Sequence, residues 1–480
     1  MVEHAAENRG VGSSILPLAT PSRLTAVLTP AIDRDLIKEL KDAEDERFHA
    51  ARPRSAELWT RAWESMPNGV PMAWHRGSYH HLPMWVDAGK GARFTDVDGF
   101  TYSDFNIADM SMFCGYAPEP IVRAVSERMA RGNQFLLPTE DAIIVSEELA
   151  RRYRLPKWQY TLSASQANTE VIRVARVMTG RDKVLMFDGK YHGHFDQALV
   201  ELDDVGALVP EEHGLPADVT EHVVLVPFND LPALKTALDR GDVAVVMTEP
   251  AMTNNYGLVL PDEGFHAGVR ELTRAAGTLL AYDETHTQVF GPGGLTALWG
   301  LEPDFVGAGK SIAAGVPFGA WGTTEDIAMF VTQMKGPDGE RLDMVALGGT
   351  LFGNALSMAA AKATMLEVLT PDAYEHTQRL GAKLADGMRA SVEKAGLPWH
   401  IPHVGPRAGY VFRPTPIRNA AEGRACANDF LTRLIRIWLA NRGVWEAIVG
   451  AGPVVPVPAT DEDVNAYQDA WVSLVVRLTS

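Results

Sequence analysis

The sequence predicts an α/β protein in which a large domain with a mostly parallel central sheet is joined by a smaller α+β domain. Between about Ile121 and Leu366, helical patterns alternate with short apolar runs, which is typical of parallel α/β units. Several of these runs are apolar throughout, as expected when helices cover both faces of a parallel sheet. The last third of the chain instead carries helical patterns around a proline-rich stretch from His400 to Pro416.

The length of the chain indicates more than one domain. With 480 residues it is too long for a single core, because domains usually hold roughly 100–200 residues. We predict an N-terminal arm and joining segment over residues 1–95, a large domain over residues 96–366, and a small C-terminal domain over residues 367–480.

Composition argues against several classes of protein. A formal net charge of −17 disfavours a nucleic-acid-binding surface, and no stretch approaches the ~20 apolar residues of a membrane helix. The segment from Met1 to about Pro30 lacks the apolar core and cleavage site of a secretory signal. The two cysteines, Cys114 and Cys426, lie far apart in sequence, so we expect no structural disulfide. These features predict a cytoplasmic protein without nucleic-acid or membrane partners.

Local patterns locate the individual elements. A charged helical pattern from Asp33 to Met66 breaks at Arg52-Pro53. A hairpin between Ala92 and Tyr102 turns at Asp98-Gly99. The predicted strands of the large domain are Lys183–Phe187, Val223–Val226, Val243–Thr248, Thr278–Tyr282 and Asp304–Val306. Further helices are predicted over Ala373–Lys394 and roughly Ala425–Arg442.

Two acidic residues end one of the predicted strands. Ligands of parallel α/β sheets bind beyond the carboxyl ends of the strands, so residues at these ends are candidates for a site. Asp283 and Glu284 follow an apolar run, where an acid can bind a metal, act as a base or pair with a protonated ring nitrogen. Capping of the loop is the alternative for an isolated aspartate.

Lys310 follows the next predicted strand and lies among small residues. A lysine that forms a Schiff base must be deprotonated part of the time, which burial promotes. A phosphate-binding lysine of the Walker type is disfavoured, because that motif requires glycine where the chain has Asp304. An ordinary exposed lysine remains the alternative.

Two further segments are candidates for ligand contacts. Ser163 and Ser165 lie at the start of a predicted helix, whose free amides and dipole favour an anion such as phosphate, although simple N-capping also explains them. Tyr191 lies shortly after a predicted strand and is suited to stacking on a planar ligand. A metal site at His192 and His194 is disfavoured, because no third ligand is near in sequence, and we predict no metal.

The order of these motifs resembles that of a known family. The motifs are Ser163-Ala164-Ser165-Gln166-Ala167, Tyr191-His192-Gly193-His194, Glu249-Pro250, Asp283-Glu284, Lys310 and Gly348-Gly349-Thr350-Leu351-Phe352-Gly353-Asn354. Together they resemble the class III aminotransferases, a fold-type-I group of pyridoxal-phosphate enzymes that includes ω- and β-amino acid transaminases and glutamate semialdehyde aminomutase. The likeness extends from about Pro67 to the C-terminus. It implies a pyridoxal-phosphate-binding large domain and a homodimer with shared active sites.

The resemblance implies a role for each matching residue. Lys310 would hold the cofactor as a Schiff base and move a proton between the substrate carbon and the cofactor. Asp283 would pair with the pyridine nitrogen and keep it protonated. Further cofactor contacts are implied for Ser163, Ala164 and Ser165 at the phosphate, Tyr191 on the ring, His192 and Glu249 nearby, and Thr350 at the phosphate of the other subunit.

The chain departs from the family pattern near the implied substrate site. The departures are Ala164-Ser165-Gln166 in place of Gly-Thr-Glu, Thr285-His286 after the two acids in place of valine, Tyr116 in place of a Gly-His pair, and one extra residue between Ala251 and Gly257. The hydroxyl of serine can replace that of threonine, so phosphate binding is expected to persist. The departures therefore bear on specificity more than on reaction type.

Three residues are candidates for substrate contact. Arg407 falls where some β-amino acid relatives place the arginine that holds the substrate carboxylate, a group that arginine recognises well. A surface salt bridge is the alternative for this arginine. Trp74 and Phe113 are candidate pocket walls, with a place in the core as their alternative.

The reaction implied by the resemblance is transfer of an amino group from an amine or a β- or ω-amino acid to a keto acid, ketone or aldehyde, by a ping-pong route. The alternative is an aminomutase, which returns the amine to a neighbouring carbon of the same molecule. A lyase on the same fold and a non-catalytic binding protein are further hypotheses. The presence of both Lys310 and Asp283 argues against the last.

Overall fold

The computed structural model of the chain describes residues 32–77, 84–203, 205–253, 256–333, 345–446 and 452–480. Most of the predicted N-terminal arm lies outside these ranges, as do two residues of the lengthened stretch between Ala251 and Gly257.

Helices and strands are named here in chain order. The helices are α1 (Arg34–Ala50), α2 (Pro53–Ala62), α3 (Trp74–Gly77), α4 (Glu119–Ala130), α5 (Glu140–Tyr153), α6 (Ala164–Thr179), α7 (Leu231–Leu238), α8 (Phe265–Ala276), α9 (Gly294–Leu298), α10 (Glu325–Gln333), α11 (Ala355–Ala363), α12 (Pro371–Lys394), α13 (Ala420–Cys426), α14 (Asp429–Ala440) and α15 (Asp461–Thr479). The strands are β1 (Val86–Lys90), β2 (Arg93–Asp96), β3 (Thr101–Asp104), β4 (Lys157–Thr161), β5 (Lys183–Phe187), β6 (Val200–Leu202), β7 (Leu208–Pro210), β8 (Val223–Val226), β9 (Val243–Thr248), β10 (Leu279–Asp283), β11 (Phe305–Ala308), β12 (Gly319–Thr323), β13 (His403–Val404), β14 (Arg407–Ala408) and β15 (Val444–Trp445).

The largest sheet confirms the predicted parallel architecture. Its seven strands run in the order β4-β12-β11-β10-β9-β5-β8. The five from β11 to β8 pair in parallel, and β12 pairs antiparallel with both β11 and β4. All five predicted strands are present, with β10 and β11 beginning one residue later than predicted.

Sequence analysis missed β4 and β12. Strand β12 contains Gly319 and Gly322, and glycine normally weakens a strand. A Cβ at Gly319 would lie 2.3 Å from the backbone of Ser163, and one at Gly322 would lie 2.5 Å from the ring of Trp158 in β4. The two glycines therefore allow β12 to pack closely against its neighbours, a need that no local pattern reveals.

Helices cover both faces of this sheet. Along β5, Val184 and Met186 contribute to one apolar cluster, and Leu185 and Phe187 to another, because successive side chains of a strand point to opposite faces. The first cluster includes the buried side of α6, and the second includes residues of α7 and α8. Both faces are thus buried, which explains why the strands are continuous apolar runs.

The small domain draws on both ends of the chain. Strands β2 and β3 form the predicted hairpin and lie in a four-stranded sheet ordered β1-β2-β3-β15. One apolar cluster joins residues from Ile37 to Phe105 with residues from Leu380 to Leu478. The division of the chain at residues 95 and 366 stays a prediction.

The structure tests two predicted helix boundaries, one between α1 and α2 and one at the start of α14. The break predicted at Arg52-Pro53 separates α1 from α2. The helix predicted from roughly Ala425 to Arg442 corresponds to α14, which begins four residues later than predicted, because α13 ends at Cys426 and Ala427 is extended. The side chain of Asn428 accepts a hydrogen bond from the amide of Leu431 at 3.1 Å, which caps α14 and ends the continuous pattern.

Across the described ranges, no helix combines the length and the hydropathy that spanning a membrane requires.

A buried ion pair ties α2 to the hairpin and provides a test of the fold. Arg52 Nε lies 3.3 Å from Asp96 Oδ2 and 3.0 Å from the Tyr102 hydroxyl, and both charged side chains are almost fully buried. Replacement of Arg52 by alanine would leave Asp96 buried without its counter-ion. We expect Arg52→Ala to lower the free energy of unfolding by about 3–5 kcal/mol, measured by urea denaturation.

The matched control is Arg54→Ala, which removes an exposed arginine paired with Glu57 at 2.8 Å. Exposed pairs contribute at most about 1 kcal/mol, so this variant should unfold close to the parent. Equal effects of the two substitutions would contradict a structural role for the buried pair.

Candidate active site

Lys310 and Asp283 emerge at the same edge of the large sheet. Strands β10 and β11 pair in parallel with Asp283 opposite Gly307, and Lys310 follows β11 by two residues. The Lys310 side chain is 19% exposed, and its φ of +35° is unusual for a residue other than glycine. The sequence prediction that the two residues lie together at the strand ends is consistent with this arrangement.

The carboxylate of Asp283 is buried and held by three hydrogen bonds. Oδ2 accepts from Asn168 Nδ2 at 2.8 Å and from His192 Nδ1 at 2.9 Å, and Oδ1 accepts from the Thr285 amide at 3.0 Å. Burial is the largest influence and opposes the charge, but the hydrogen bonds and charge of His192, with those of Thr285, outweigh it and lower the pKa of Asp283 to about 2. This side chain therefore stays ionised inside the protein.

The amine of Lys310 contacts two residues that sequence analysis did not assign to the site. Nζ donates to Asp109, and it lies 2.7 Å from His286 Nε2. His286 Nδ1 in turn lies 3.3 Å from Glu249 Oε2, which also accepts a 2.6 Å hydrogen bond from the hydroxyl of Thr253. His286 had appeared only as a departure from the family pattern, and Asp109 carried no signal in the sequence.

Asp109 is held by an unusual backbone. The four residues Ile107–Met110 all have φ between +47° and +67°, the left-handed region that costs about 1–2 kcal/mol for each ordinary residue. The start of the turn is braced by Asp104, whose Oδ1 accepts hydrogen bonds from the backbone amides of Asn106 and Ile107 at 2.8 Å each. Tyr116, the substituted position of the family motif, donates its hydroxyl to Asp104 at 2.5 Å. The structure thus maintains strain where Asp109 meets Lys310.

The start of α6 offers a site for an anion. Ser163 caps the helix by accepting from the Gln166 amide at 3.4 Å, so the capping alternative also applies to this residue. Ser165 Oγ accepts from the His194 amide at 2.9 Å. A Cβ at Gly193 would lie 2.3 Å from Ser165 Oγ, so only glycine fits there. The amides at the helix start and its dipole favour a phosphate beside Lys310 and its preceding Gly309.

Tyr191 and Trp74 lie together beside the site. Their ring centroids are 5.7 Å apart with an interplanar angle of 58°, and Trp74 is 45% exposed. Phe113, the other predicted pocket wall, is fully buried and packs against Tyr374 at 6.1 Å, as its core alternative requires. The substrate role of Phe113 stays a prediction.

Arg407 is buried beside the acidic residues of the site. One of its nitrogens donates to the Thr253 carbonyl, and Nη1 lies 3.7 Å from Met110 Sδ. Burial lowers the pKa of Arg407 to about 10, against the charges of Glu249 and Asp109. The alternative of a surface salt bridge is excluded, because the side chain is only 1% exposed.

Thr350 and Glu284 lie apart from this group. Thr350 is exposed, and its carbonyl accepts from Gln134 Nε2. Glu284 accepts from the hydroxyl of Thr287 and from amides at the start of α9, so the second acid of the pair acts as a loop cap. Within the described residues, no group of three or more His, Cys, Asp or Glu side chains has the arrangement of a metal site.

The residues present fit a phosphorylated pyridine aldehyde. The fit rests on a buried carboxylate whose pKa is lowered to about 2, an amine at the neighbouring strand end, and a helix start that glycines keep open. These features suit a ring nitrogen, a carbonyl carbon and a phosphate, respectively.

Comparisons with known proteins agree with this fit. The family model "Aminotransferase class-III" matches residues 75–452. A glutamate-1-semialdehyde 2,1-aminomutase of Anaeromyxobacter dehalogenans is 36% identical over 384 residues, which cover 78% of this chain and 86% of that protein.

Two solved structures extend the comparison. A glutamate-1-semialdehyde aminomutase from Pseudomonas aeruginosa PAO1 is 39% identical with a TM-score of 0.87, covering 93% of this chain and 99% of that one. A lysine-to-alanine variant from the same source was solved in complex with PMP. An ω-transaminase from Sphaerobacter thermophilus is 28% identical with a TM-score of 0.80, covering 89% of this chain and 98% of that one.

The pH dependence of stability tests the buried state of Glu284. Burial raises the pKa of Glu284 to about 7, although its hydrogen bonds oppose the shift. The unfolded chain releases this proton at a lower pH, so stability contributed by the protonated form is lost as pH rises through the window up to about 7. Glu284→Gln cannot ionise, so its melting temperature relative to the parent should be higher at about pH 8 than at about pH 5.

Other buried acids, such as Asp104, are present in both the parent and Glu284→Gln. Their contributions therefore cancel in the difference between the two melting temperatures. A difference in melting temperature that does not change with pH would show that Glu284 titrates at its ordinary value in the folded chain.

Proposed function

The chain belongs to the class III aminotransferases, which are pyridoxal-phosphate enzymes, and from that premise we propose that Lys310 and Asp283 carry an amino-group transfer. The donor is an amine or a β- or ω-amino acid, and the acceptor is a keto acid, ketone or aldehyde. The observation that supports these roles most directly is the amine of Lys310 at the strand end beside the ionised carboxylate of Asp283.

Each proposed cofactor contact follows from a feature of the site. Asp283 would lie against the ring nitrogen and hold its proton, since the carboxylate stays ionised. The amides of Ala164 and Ser165 would bind the phosphate together with the hydroxyl of Ser165. Tyr191 would lie against the ring, with Trp74 beside it. Pyridoxal phosphate, when bound, supplies an electron sink for negative charge that develops on the substrate carbon.

The protein's own part in the reaction is proton handling and positioning. Lys310 Nζ takes a proton from one carbon and returns it to another position, which requires that its amine be free of a proton for part of the cycle. His192 and Asn168 keep Asp283 oriented through hydrogen bonds to the same oxygen. Glu249 adds a buried carboxylate on the far side of His286.

Substrate recognition is proposed for Arg407. Its guanidinium contacts Met110 and interacts electrostatically with Asp109, the residue that contacts the Lys310 amine. A carboxylate at the end of a β- or ω-amino acid would suit this buried cation. Trp74 would form the outer wall of the pocket, and Phe113 would support the inner wall from the core.

A homodimer with shared active sites is also proposed. Thr350 is exposed, which suits a contact with the phosphate held by a second subunit. Near it, Leu136 and Leu137 are 73% and 70% exposed, and Leu351 is 49% exposed. Exposed apolar residues in one region are typical of an interface between proteins. The cytoplasm is the proposed location, because Cys114 and Cys426 are both free thiols.

An aminomutase is the second candidate, and the comparisons give it specific support. The aminomutases of Anaeromyxobacter dehalogenans and Pseudomonas aeruginosa share more identity with this chain than the Sphaerobacter ω-transaminase does. A mutase needs no separate acceptor, because amine donor and carbonyl belong to one molecule. The two candidates therefore differ in whether two external substrates can complete a cycle.

The test is a panel of amino donors, including β- and ω-amino acids, with pyruvate and 2-oxoglutarate as acceptors. For a transaminase, a donor alone should change the absorbance of the bound cofactor, and an acceptor should restore it. If no pair restores the absorbance while glutamate semialdehyde is isomerised, the enzyme is the mutase. If neither happens, the proposed function is wrong.

The role of Asp283 can be tested by Asp283→Asn. Loss of the charge removes the group that keeps the ring nitrogen protonated, so we expect turnover to fall by about 100-fold or more, measured under saturating cofactor. Glu284→Gln is the matched control, since it changes the adjacent buried acid, which lies outside the proposed machinery. Comparable losses in both variants would contradict the special role of Asp283.

A further inference from the structure

A short contact between two nitrogens restricts where a proton can lie. Lys310 Nζ and His286 Nε2 are 2.7 Å apart, a distance at which only one hydrogen fits between them. If Lys310 carries the proton, His286 must accept at Nε2. If His286 carries it, Lys310 must be a neutral amine. The pair therefore holds a single shared proton rather than two facing donors.

The other ring nitrogen of His286 has a defined partner. His286 Nδ1 lies 3.3 Å from Glu249 Oε2, and both side chains are 2% exposed. Thr253 fixes the carboxylate through a 2.6 Å hydrogen bond to the same oxygen. A nucleophile in hydrogen-bond reach of a base, with the base oriented by a third group, is the general arrangement of an activated nucleophile.

We propose that Glu249, His286 and Lys310 form a triad in which His286 Nε2 takes the proton of the Lys310 ammonium and frees its amine for attack on a carbonyl. In this step one N–H bond of Lys310 breaks and an N–H bond of His286 forms. The positive charge moves from Nζ to the imidazole ring, where Glu249 faces it, and the reverse transfer restores the ammonium. This inference rests on the proposed function and assigns His286 a task within it.

The surrounding acids raise the pKa of His286. Burial is the largest influence on His286 and lowers its pKa, as does the charge of Lys310. The acidic side chains of Asp109 and Glu249 outweigh both, so the pKa of His286 lies above its ordinary value. Arg407 interacts electrostatically with Glu249 and Asp109, and Tyr191 interacts with Asp109.

Asp109 and Glu249 act differently on the shared proton. Asp109 Oδ2 contacts Lys310 Nζ directly and lies 3.9 Å from His286 Nε2, so it stabilises positive charge most strongly on the lysine. Glu249 contacts only the histidine of the pair and stabilises the charge there. Asp109 should therefore favour the proton on Lys310, and Glu249 should favour it on His286. Opposite effects of this kind are not expected if the two carboxylates only stabilise the fold.

The test measures the free amine directly, without turnover. The full-length protein, freed of cofactor, is labelled with acetic anhydride over a range of pH, and acetylation of Lys310 is followed by mass spectrometry against the other lysines. In His286→Gln, which retains a polar side chain but cannot take the proton, labelling should reach half its maximal rate at a pH higher by about 1 unit or more. Near neutral pH this corresponds to roughly a tenfold slower reaction.

Two further variants test the direction in which the labelling curve shifts. Glu249→Gln should shift the labelling curve in the same direction as His286→Gln, and Asp109→Asn should shift it to lower pH. His266→Gln is the matched control, because this buried histidine bonds the Pro250 carbonyl and the Tyr282 hydroxyl instead of Lys310, and its curve should follow the parent. Circular dichroism and thermal melting establish that each variant is folded.

The holoenzyme provides the second readout, in which the acid limb of the turnover profile should move to higher pH in His286→Gln. An unchanged labelling curve in both His286→Gln and Glu249→Gln, or a shift of Asp109→Asn in the same direction as theirs, would overturn the triad. Because labelling needs neither cofactor nor substrate, the triad can hold while the donor panel rejects aminotransfer, and the reverse outcome is equally distinguishable.

Discussion

The parallel pairing of β10 with β11 is the constraint on which the candidate site depends. It brings the carboxyl ends of the two strands to one edge, so that Asp283 and Lys310 leave the sheet side by side. Space at this edge is limited, since a Cβ at Gly307 would lie 2.5 Å from Asn168 Oδ1. Asn168 could not then hold the Asp283 carboxylate. The register of β10 and β11, the lack of a side chain at Gly307 and the side-chain amide of Asn168 together fix the position of the Asp283 carboxylate.

Buried charge is the second organising feature of the site. Asp109 and Glu249 lie among Lys310, His286 and Arg407, all from different segments of the chain. Burying a charge is unfavourable unless an opposite charge or a hydrogen bond compensates it. The carboxylates of Asp109 and Glu249 are compensated by the positive charge of Arg407 and by the positive charge that Lys310 and His286 share. The same interactions couple their protonation, so that a proton gained by one side chain alters its neighbours.

Sequence analysis captured what local pattern and motif order encode. The five predicted strands of the large sheet are mostly apolar runs, and Asp283 ends one of them while Lys310 follows another. It did not find Asp109, because the contact with Lys310 spans 201 residues of sequence and requires a left-handed turn of ordinary residues. It also began α14 four residues early, at Ala425, since helical periodicity continues through a cap such as Asn428. The Asp109 contact is tertiary, whereas the cap at Asn428 is a local hydrogen bond that periodicity alone does not reveal.

The left-handed turn over Ile107–Met110 sets stability against function at the same positions. Glycine would adopt these φ values without steric cost, and its introduction would relieve the strain. It would also enlarge the set of conformations open to the segment, so the Asp109 carboxylate would no longer be fixed in one place. Selection for a more robust fold and selection for a rigid counter-ion thus act in opposite senses on four adjacent residues.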